Sequence, residues 1–233
     1  MTSPLLQLLK LNLVSPTGQT LLSSFDITLP VNYRIGITGA SGCGKTTLLK
    51  SILNRSFDYG SEHKEFQLTD KHIGYIPQSS GLLPWFSLEK NFSLVFKKAV
   101  KPSYYDSMLS AFDLQSCLKK YPTDLSGGEY QRSLLALSIA LNPPLYLADE
   151  PLTEVDLKRK WIILDYWSSI LNENKASLLL VSHDINTLSY LCDQVIILKG
   201  SPAQCETSVE IPRNINNSDL NIYKNKILDI IMQ

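Results

Sequence analysis

The chain has 233 residues, of which 44% are hydrophobic, and its 22 lysine and arginine residues balance 22 aspartate and glutamate residues. This length fits one large domain, or one domain with a small inserted subdomain, and it can bury a sizeable core. The zero net charge argues against nonspecific nucleic-acid binding, which usually needs a basic excess, and no run approaches the roughly 20 apolar residues of a membrane span.

Apolar runs alternate with helical stretches along the chain. This pattern predicts an α/β fold with a mostly parallel core sheet covered by helices. Residues 6–13 and 22–29 come first and are predicted to be antiparallel strands at one edge of the sheet. The core strands, each bounded by Gly, Pro, Asp or Ser, are predicted at residues 34–38, 72–76, 145–148, 177–182 and 194–198.

The pattern changes between residues 81 and 125. Residues 87–100 and 104–112 have helical spacing and are separated by a proline, which predicts a small helical subdomain inserted between two core strands. The whole chain, residues 1–233, is then one domain whose core comprises residues 1–80 and 126–233. A further amphipathic helix is predicted over residues 219–231, and we expect it to pack on its own domain.

A glycine-rich segment between the first core strand and the first helix predicts a phosphate site. Its pattern, Gly39-x-x-x-x-Gly44-Lys45-Thr46, lets backbone N–H groups point at phosphates, while the helix N-terminus and Lys45 add positive charge. The Thr46 hydroxyl can ligate Mg²⁺. The residues predicted to contact the phosphates are Gly39, Ala40, Ser41, Gly42, Cys43, Gly44, Lys45, Thr46 and Thr47. The segment predicts a nucleoside triphosphate as ligand, without saying what its energy drives.

Two acidic residues, Asp149 and Glu150, follow the strand predicted at residues 145–148. A carboxylate at the end of a buried strand beside a phosphate loop can hold Mg²⁺, which is the role predicted for Asp149. Glu150 would then lie near the terminal phosphate and could accept a proton from the attacking water. Without the phosphate loop, a solvated strand end would be the simpler interpretation of this pair.

A second glycine pair, in Ser126-Gly127-Gly128-Glu129, lies at the start of another predicted helix. Ser126 is a good N-cap, and the glycines leave backbone N–H groups at the helix start accessible to an anion. Taken alone, the segment would indicate only a capped helix after a loop.

Together and in this order, these motifs resemble those of ABC-type ATPases, the nucleotide-binding subunits of ATP-binding cassette transporters, over essentially the whole chain. The resemblance implies that ATP is held between two subunits, with the Ser126-Gly127-Gly128-Glu129 segment of one subunit facing the phosphates bound by the other. It also implies that Gln78 reaches Mg²⁺ and the attacking water, and that His183 contacts the terminal phosphate. The expected catalytic residues are thus Glu150, His183, Lys45 and Gln78, and the expected Mg²⁺ ligands are Thr46, Gln78 and Asp149.

Three positions depart from the family pattern. The loop Ser15-Pro16-Thr17-Gly18 has no aromatic residue where the family usually stacks adenine on one. Leu137 replaces a common arginine in the helix after the glycine pair, and Val31-Asn32-Tyr33-Arg34 replaces a Gly-Glu turn. Asn32 tolerates a positive φ, so this last change is expected to cost little. Hydrolysis of ATP remains the expectation, and the open question is which side chain faces the adenine.

The segment Leu82-Leu83-Pro84-Trp85 resembles importers of the nitrate, taurine, sulfonate and thiamine-precursor group, as does the short tail after residue 199. This implies a transmembrane permease as partner, a solute-binding protein reached through the complex, and two copies of this chain, with a heterodimer as the open alternative. No nucleic-acid partner is expected. Four widely spaced cysteines and an N-terminus unlike a signal peptide predict a cytoplasmic protein, peripheral on the inner face of the membrane.

Three other functions stay open at this point. A soluble ABC ATPase acting on nucleic acid or ribosomes usually has two cassettes or a long coiled-coil insertion, and the sequence has neither pattern. An ABC exporter or a lipoprotein-release ATPase would share the same motifs. A non-hydrolysing regulatory subunit would fit the missing aromatic residue. The sequence does not name the transported solute, because the ATPase does not touch it.

Overall fold

A mixed sheet of nine strands forms the centre of the computed structural model, within the residues that it describes, 4–69, 72–99, 102–213, 215 and 217–232. The strands are β1 (Leu6–Val14), β2 (Thr20–Leu29), β3 (Arg34–Gly39), β4 (Glu65–Leu68), β5 (Ile73–Ile76), β6 (Leu145–Asp149), β7 (Ser177–Val181), β8 (Gln194–Gly200) and β9 (Ala203–Glu210). The helices are α1 (Lys45–Asn54), α2 (Leu88–Ala99), α3 (Pro102–Phe112), α4 (Gly127–Ala140), α5 (Leu157–Glu173), α6 (Ile185–Leu191) and α7 (Asn217–Met232). The strand order is β4-β1-β2-β9-β8-β3-β7-β6-β5, which confirms the predicted α/β fold.

The parallel part of the sheet consists of β8, β3, β7, β6 and β5. All residues of β6 and β7 are buried, because helices cover both faces. Successive residues alternate between the two faces: Leu145 and Leu147 join the cluster that contains α1, whereas Tyr146 and Ala148 join the cluster that contains α4 and α5. Because the strands are parallel, their carboxyl ends meet at one edge, where loops can assemble a site.

The other part of the sheet is mainly antiparallel. β1 pairs with both β2 and β4, and β9 pairs with β8, while one parallel bridge from Leu22 to Ala203 joins β2 to β9. The two predicted edge strands are therefore confirmed. β4 and β9 were not predicted, because β4 has only four residues and β9 is mostly polar; in β9 only Ala203 and Val209 are buried.

The turn before β3 has the backbone that the sequence predicts. Asn32 adopts a left-handed conformation with φ at +56°. Its carbonyl oxygen accepts a hydrogen bond from Arg213 Nη2 at 2.5 Å, which fixes the turn to the segment after β9. The replacement of the usual Gly-Glu turn is thus tolerated, as expected.

The predicted helices of the insertion are present as α2 and α3, and Val100 lies outside the described residues. The prediction that the second helix begins at Tyr104 is wrong. It begins at Pro102, because the fixed φ of proline and its missing N–H suit the first helical turn. Phe92 and Phe112 are fully buried in the same apolar cluster as α4 and α5. The division into a core and a helical subdomain stays a prediction.

Helix α7 packs against α6, β8 and β9, as expected for a helix that belongs to its own domain. Leu220 and Ile227 are buried, whereas Ile231, which the spacing assigns to the apolar face, is 38% exposed. No helix in the described part of the chain combines the length and the hydropathy needed to cross a bilayer.

Candidate functional site

A cavity of about 640 Å³ opens at the carboxyl edge of the parallel strands. It gathers side chains from the loop after β3, from the ends of β5 and β6, and from the segment after β7. Among the predicted site residues, it is lined by Ser41, Gly42, Gly44, Lys45, Thr46, Thr47, Gln78, Asp149, Glu150 and His183. Residues separated by more than a hundred positions therefore meet in one space, because parallel strands place their ends together.

The loop between β3 and α1 is shaped to hold an anion. Gly42 and Gly44 have φ values of +79° and +99°, which a side chain would strain. A Cβ at Gly44 would also lie 2.9 Å from Leu21 Cβ. Helix α1 has no side-chain cap at its N-terminus and no acidic residue in its first turn, so its first N–H groups are available to a ligand.

Lys45 lies folded over this loop. Its ammonium Nζ donates to the carbonyl oxygens of Gly39 and Ala40, both at 2.8 Å, and lies 3.7 Å from Cys43 Sγ. The lysine is thus held by Gly39, Ala40 and Cys43, which do not line the cavity themselves. The lysine is 6% exposed, and all these acceptors are neutral, so its positive charge favours an anion at the cavity floor.

A buried carboxylate, Asp149, and a part-buried one, Glu150, face the same cavity with an unsatisfied oxygen each. Asp149 is 1% exposed, and its Oδ2 has no hydrogen-bond partner among the described residues. Glu150 Oε2 accepts from Ser182 Oγ at 3.3 Å, whereas Oε1 has no hydrogen-bond donor in the part of the chain that the structure describes. His183 Nε2 lies 3.5 Å from that Oε1, within ion-pair range. An unsatisfied buried carboxylate oxygen is costly, so these atoms are suited to a cation and a water molecule from outside the chain.

The electrostatics of Glu150 suit a proton acceptor. Burial raises the pKa of its carboxyl group, and the neighbouring His183 opposes that rise. Its backbone is held in a left-handed conformation, with φ at +49°, while its N–H donates to Val181 O at 2.9 Å. A strained residue held this firmly is typical of functional sites.

The donor set next to the loop fits Mg²⁺. Thr46 supplies a hydroxyl, Gln78 an amide oxygen and Asp149 a buried carboxylate, and all three line the cavity. Mg²⁺ prefers such oxygen ligands and keeps several water and phosphate ligands, so it needs few from the protein. No cluster of three or more His, Cys, Asp or Glu side chains occurs among the described residues, as a zinc site would require.

The second glycine segment does not line this cavity. Ser126 caps α4: its Oγ accepts from Glu129 N at 3.3 Å, and Glu129 Oε2 accepts from Ser126 N at 2.8 Å. Ser126 and Gly127 are exposed, and Glu154 lies directly above Gly127, where an added Cβ would come within 1.9 Å of its Oε2. The start of α4 is therefore a surface outside this cavity.

Gln131, which the sequence did not single out, connects these two regions. Its Nε2 donates to Glu150 O at 3.0 Å, and its Oε1 accepts from Glu154 N at 2.6 Å. The side chain is 5% exposed. No sequence pattern reveals this role, because it depends on α4 packing beside the loop after β6.

Lys160, Asp184 and Thr187 also line the cavity and were not predicted. Lys160 Nζ lies 2.5 Å from Asp184 Oδ2, and Asp184 caps α6 by accepting from Asn186 N and Thr187 N. These contacts hold the segment after β7, and with it His183, beside the phosphate loop. An acidic N-cap after His183 could have been found from sequence.

Glu129→Gln should lower the free energy of unfolding by about 1 kcal/mol at pH 7. Glu129 completes the capping box and pairs with Lys120 at 2.8 Å. The pKa of Glu129 is lowered to about 2, mainly by the hydrogen bond from Lys120 and next by the hydrogen bond from the Ser126 N–H. A lowered pKa gives stability that is present above pH 4.5 and is lost as the pH falls toward 2. Urea unfolding at pH 7 and pH 3.5 should show the difference shrinking at the lower pH. The exposed Glu206→Gln is the control, and an equal difference at both pH values would contradict this account.

The chain is similar to known ATP-binding subunits of transporters. The family model described as ABC transporter matches residues 22–153. An aliphatic sulfonates import ATP-binding protein of Zymomonas mobilis is 33% identical over 217 residues, covering 91% of this chain and 90% of that protein. Its counterpart from Bacillus subtilis is 30% identical over 219 residues, covering 90% and 86%. A molybdenum import ATP-binding protein of Saccharophagus degradans is 33% identical, but the match covers only 57% of that longer protein.

Solved structures show the same fold. A dimeric ATP-binding cassette in a post-hydrolysis state, bound to ADP and Pi, superposes with a TM-score of 0.73 over 89% of this chain and 99% of that chain. The two sequences are 22% identical, so this likeness establishes the fold alone.

Proposed function

The chain belongs to the ABC transporter family, and from this membership we propose that it is the ATP-binding subunit of an importer, hydrolysing ATP to drive a partner permease. The observation that carries the proposal is the arrangement in the cavity. A buried ammonium and a free helix N-terminus lie on one side, and two carboxylates with unsatisfied oxygens lie on the other. This combination of charges suits a magnesium-bound triphosphate and the water that attacks it.

Each residue has a distinct part in the proposed reaction. Lys45 and the loop N–H groups bind the phosphate oxygens and stabilise the charge that develops on them. Glu150 accepts the proton of the attacking water, and His183 contacts the terminal phosphate. The side chains of Thr46, Gln78 and Asp149 would hold Mg²⁺, which supplies positive charge to the phosphate oxygens when bound.

We further propose that the working form is a dimer in which each ATP lies between two chains. The position of the second glycine segment supports this arrangement. Ser126, Gly127 and Gly128 present a helix N-terminus with no part in the cavity of their own chain, although helix N-termini are favourable anion sites. In a dimer, this surface would face the terminal phosphate bound by the other copy.

The surface near α2 and α4 suits the permease. A second cavity of about 440 Å³ between these helices has apolar walls that include Leu83, Leu94 and Leu137, and Trp85 nearby is 66% exposed. Leu137, which replaces a common arginine, is thus part of an apolar groove. An exposed apolar groove of this kind is typical of a docking site for another protein.

The relatives' names support an importer over the alternatives of an exporter and of a soluble ATPase acting on nucleic acid. Relatives covering most of this chain are named for the import of aliphatic sulfonates, so we propose a sulfonate-like organic anion as the solute. A solute-binding protein would deliver it to the permease, and this chain would act at the cytoplasmic face of the membrane.

Complementation between two inactive variants tests the shared site. Lys45→Ala disables the phosphate loop, and Ser126→Arg places a bulky charge at the start of α4. Each variant alone should lack Mg²⁺-dependent ATP hydrolysis. A mixture should recover measurable phosphate release, because a mixed dimer contains one site built from an intact loop and an intact α4 start.

The matched control is the double variant, Lys45→Ala with Ser126→Arg in one chain, mixed with the Ser126→Arg chain. This mixture contains no intact combination and should remain inactive. An inactive mixture of the two single variants, at concentrations where the original chain hydrolyses ATP, would contradict the shared site. Absence of hydrolysis by the original chain would contradict the proposed ATPase itself.

A further inference from the structure

A smaller cavity of about 320 Å³ adjoins the phosphate cavity. Thr46 and Thr47, in the first turn of α1, line both cavities, so the two cavities adjoin at the helix start. If the phosphates lie on the loop, as the proposed function requires, the sugar and base of the nucleotide can extend into this smaller cavity. The cavity is therefore the place to look for the side chain that faces the adenine.

The hairpin between β1 and β2 borders this cavity but brings no aromatic ring to it. Its turn is closed by hydrogen bonds from Ser15 N to Gln19 O at 2.8 Å and from Gly18 N to Ser15 O at 2.9 Å. Pro16 is the residue of this turn that lines the cavity. The turn is thus tight and locally satisfied, and a stacking partner for the base has to come from another element.

Tyr59 also lines this cavity and lies in the turn between α1 and β4. Its side chain is 60% exposed, so the ring is accessible to a ligand. Its φ is +62° and that of Gly60 is +82°, and Ser61 N donates to Asp58 O at 3.1 Å. Glycine, asparagine or aspartate normally occupies the first of these positions, so a tyrosine here is conformationally costly.

This turn is fixed to the end of β1, next to the hairpin that lacks a ring. Val14 N donates to Ser61 Oγ at 2.9 Å, and Asn12 and Glu62 exchange two backbone hydrogen bonds of 2.8 and 3.0 Å. The position of Tyr59 relative to α1 and β1 is therefore set by the backbone. A strained, exposed aromatic residue held rigidly at the wall of a cavity points to a ligand.

We propose that Tyr59 supplies the aromatic face on which the adenine ring of ATP stacks, in place of the ring absent from the β1–β2 hairpin. The ring has the flat, polarisable surface that a purine requires, and the rigid turn lowers the entropic cost of stacking. Stacking does not read the edges of the base, so GTP should bind in the same way.

The test compares nucleotide and triphosphate binding in two Tyr59 variants. Tyr59→Asn removes the ring but keeps the left-handed turn, since asparagine tolerates a positive φ. Its dissociation constant for ATP, measured by titration calorimetry, should rise about 5- to 150-fold. Inorganic tripolyphosphate has no base, so its dissociation constant should not change. Tyr59→Phe should bind ATP as the original chain does, and Tyr121→Ala, which removes an exposed tyrosine elsewhere, is the control.

Each outcome separates this proposal from the proposed function. If the original chain fails to bind ATP, the proposed function is wrong. If the original chain binds ATP and Tyr59→Asn binds it with unchanged affinity, the stacking proposal is overturned and the ATPase stands. Equal weakening of ATP and tripolyphosphate binding would also overturn it, because the effect would then lie in the phosphate loop.

Discussion

Glu150→Gln is expected to slow ATP hydrolysis by about 100-fold or more while ATP binding persists. The amide keeps the shape of the side chain and can still contact Ser182, but it cannot accept the proton of the attacking water. Since the bound nucleotide would no longer be consumed, the variant should accumulate as an ATP-bound dimer. Steady-state phosphate release and size-exclusion chromatography with and without ATP measure the two effects.

The pH dependence provides a second readout of the same residue. Burial raises the pKa of Glu150, so the carboxylate that acts as base is lost at a higher pH than an ordinary glutamate would be. Hydrolysis by the original chain should therefore decline on acidification through that raised pKa. Glu206→Gln, on the exposed side of β9, should leave turnover and its pH profile unchanged. Normal turnover by Glu150→Gln would contradict its role as the base.

Lys45→Ala is expected to weaken ATP binding by about 100-fold. Hydrogen bonds between charged groups contribute about 1.5–3 kcal/mol each, and the lysine lies where it can make at least one of them with the phosphates. Removing it also leaves the carbonyl oxygens of Gly39 and Ala40 without their buried donor, which loosens the loop. Titration calorimetry with ATP measures the loss.

The matched control for this variant is Lys64→Ala, which removes an exposed lysine outside the phosphate cavity. It should bind ATP like the original chain. The two active-site variants are expected to differ in kind, because Lys45→Ala loses binding and Glu150→Gln loses only turnover. A Lys45→Ala protein that binds ATP with full affinity would show that the ammonium does not reach the phosphates.

The phosphate cavity was largely predictable because its residues stand at strand ends. Gly39 and Asp149 each close a buried strand, and parallel pairing alone brings those ends together. Local chemistry, such as glycines with positive φ and an uncapped helix start, then identifies the ligand class. For the same reason the capped start of α4 could be predicted from Ser126 and Glu129 alone.

Features that depend on distant contacts were not predictable. Strand β9 forms because β8 offers it an edge, although its own sequence is mostly polar. Gln131 and Glu154 look like ordinary polar residues until α4 packs beside the loop after β6. Tyr59 is equally inconspicuous in sequence, because only the pairing of residues 12 and 62 brings its turn to the end of β1.

The two hydrogen bonds of Gln131 connect α4 to the backbone at Glu150 and at Glu154. The side-chain amide of Gln131 joins α4 to the backbone of Glu150. The first turn of α4 would meet a partner chain in the proposed dimer, and Glu150 would activate the attacking water. Both the Nε2 and the Oε1 atom of Gln131 are hydrogen-bonded, so a shift of α4 would either break these bonds or move the backbone at Glu150 and Glu154. In the proposed dimer, a partner that meets the start of α4 would therefore also act, through Gln131, on the backbone of the proposed base, and dimer formation and the position of Glu150 would be coupled.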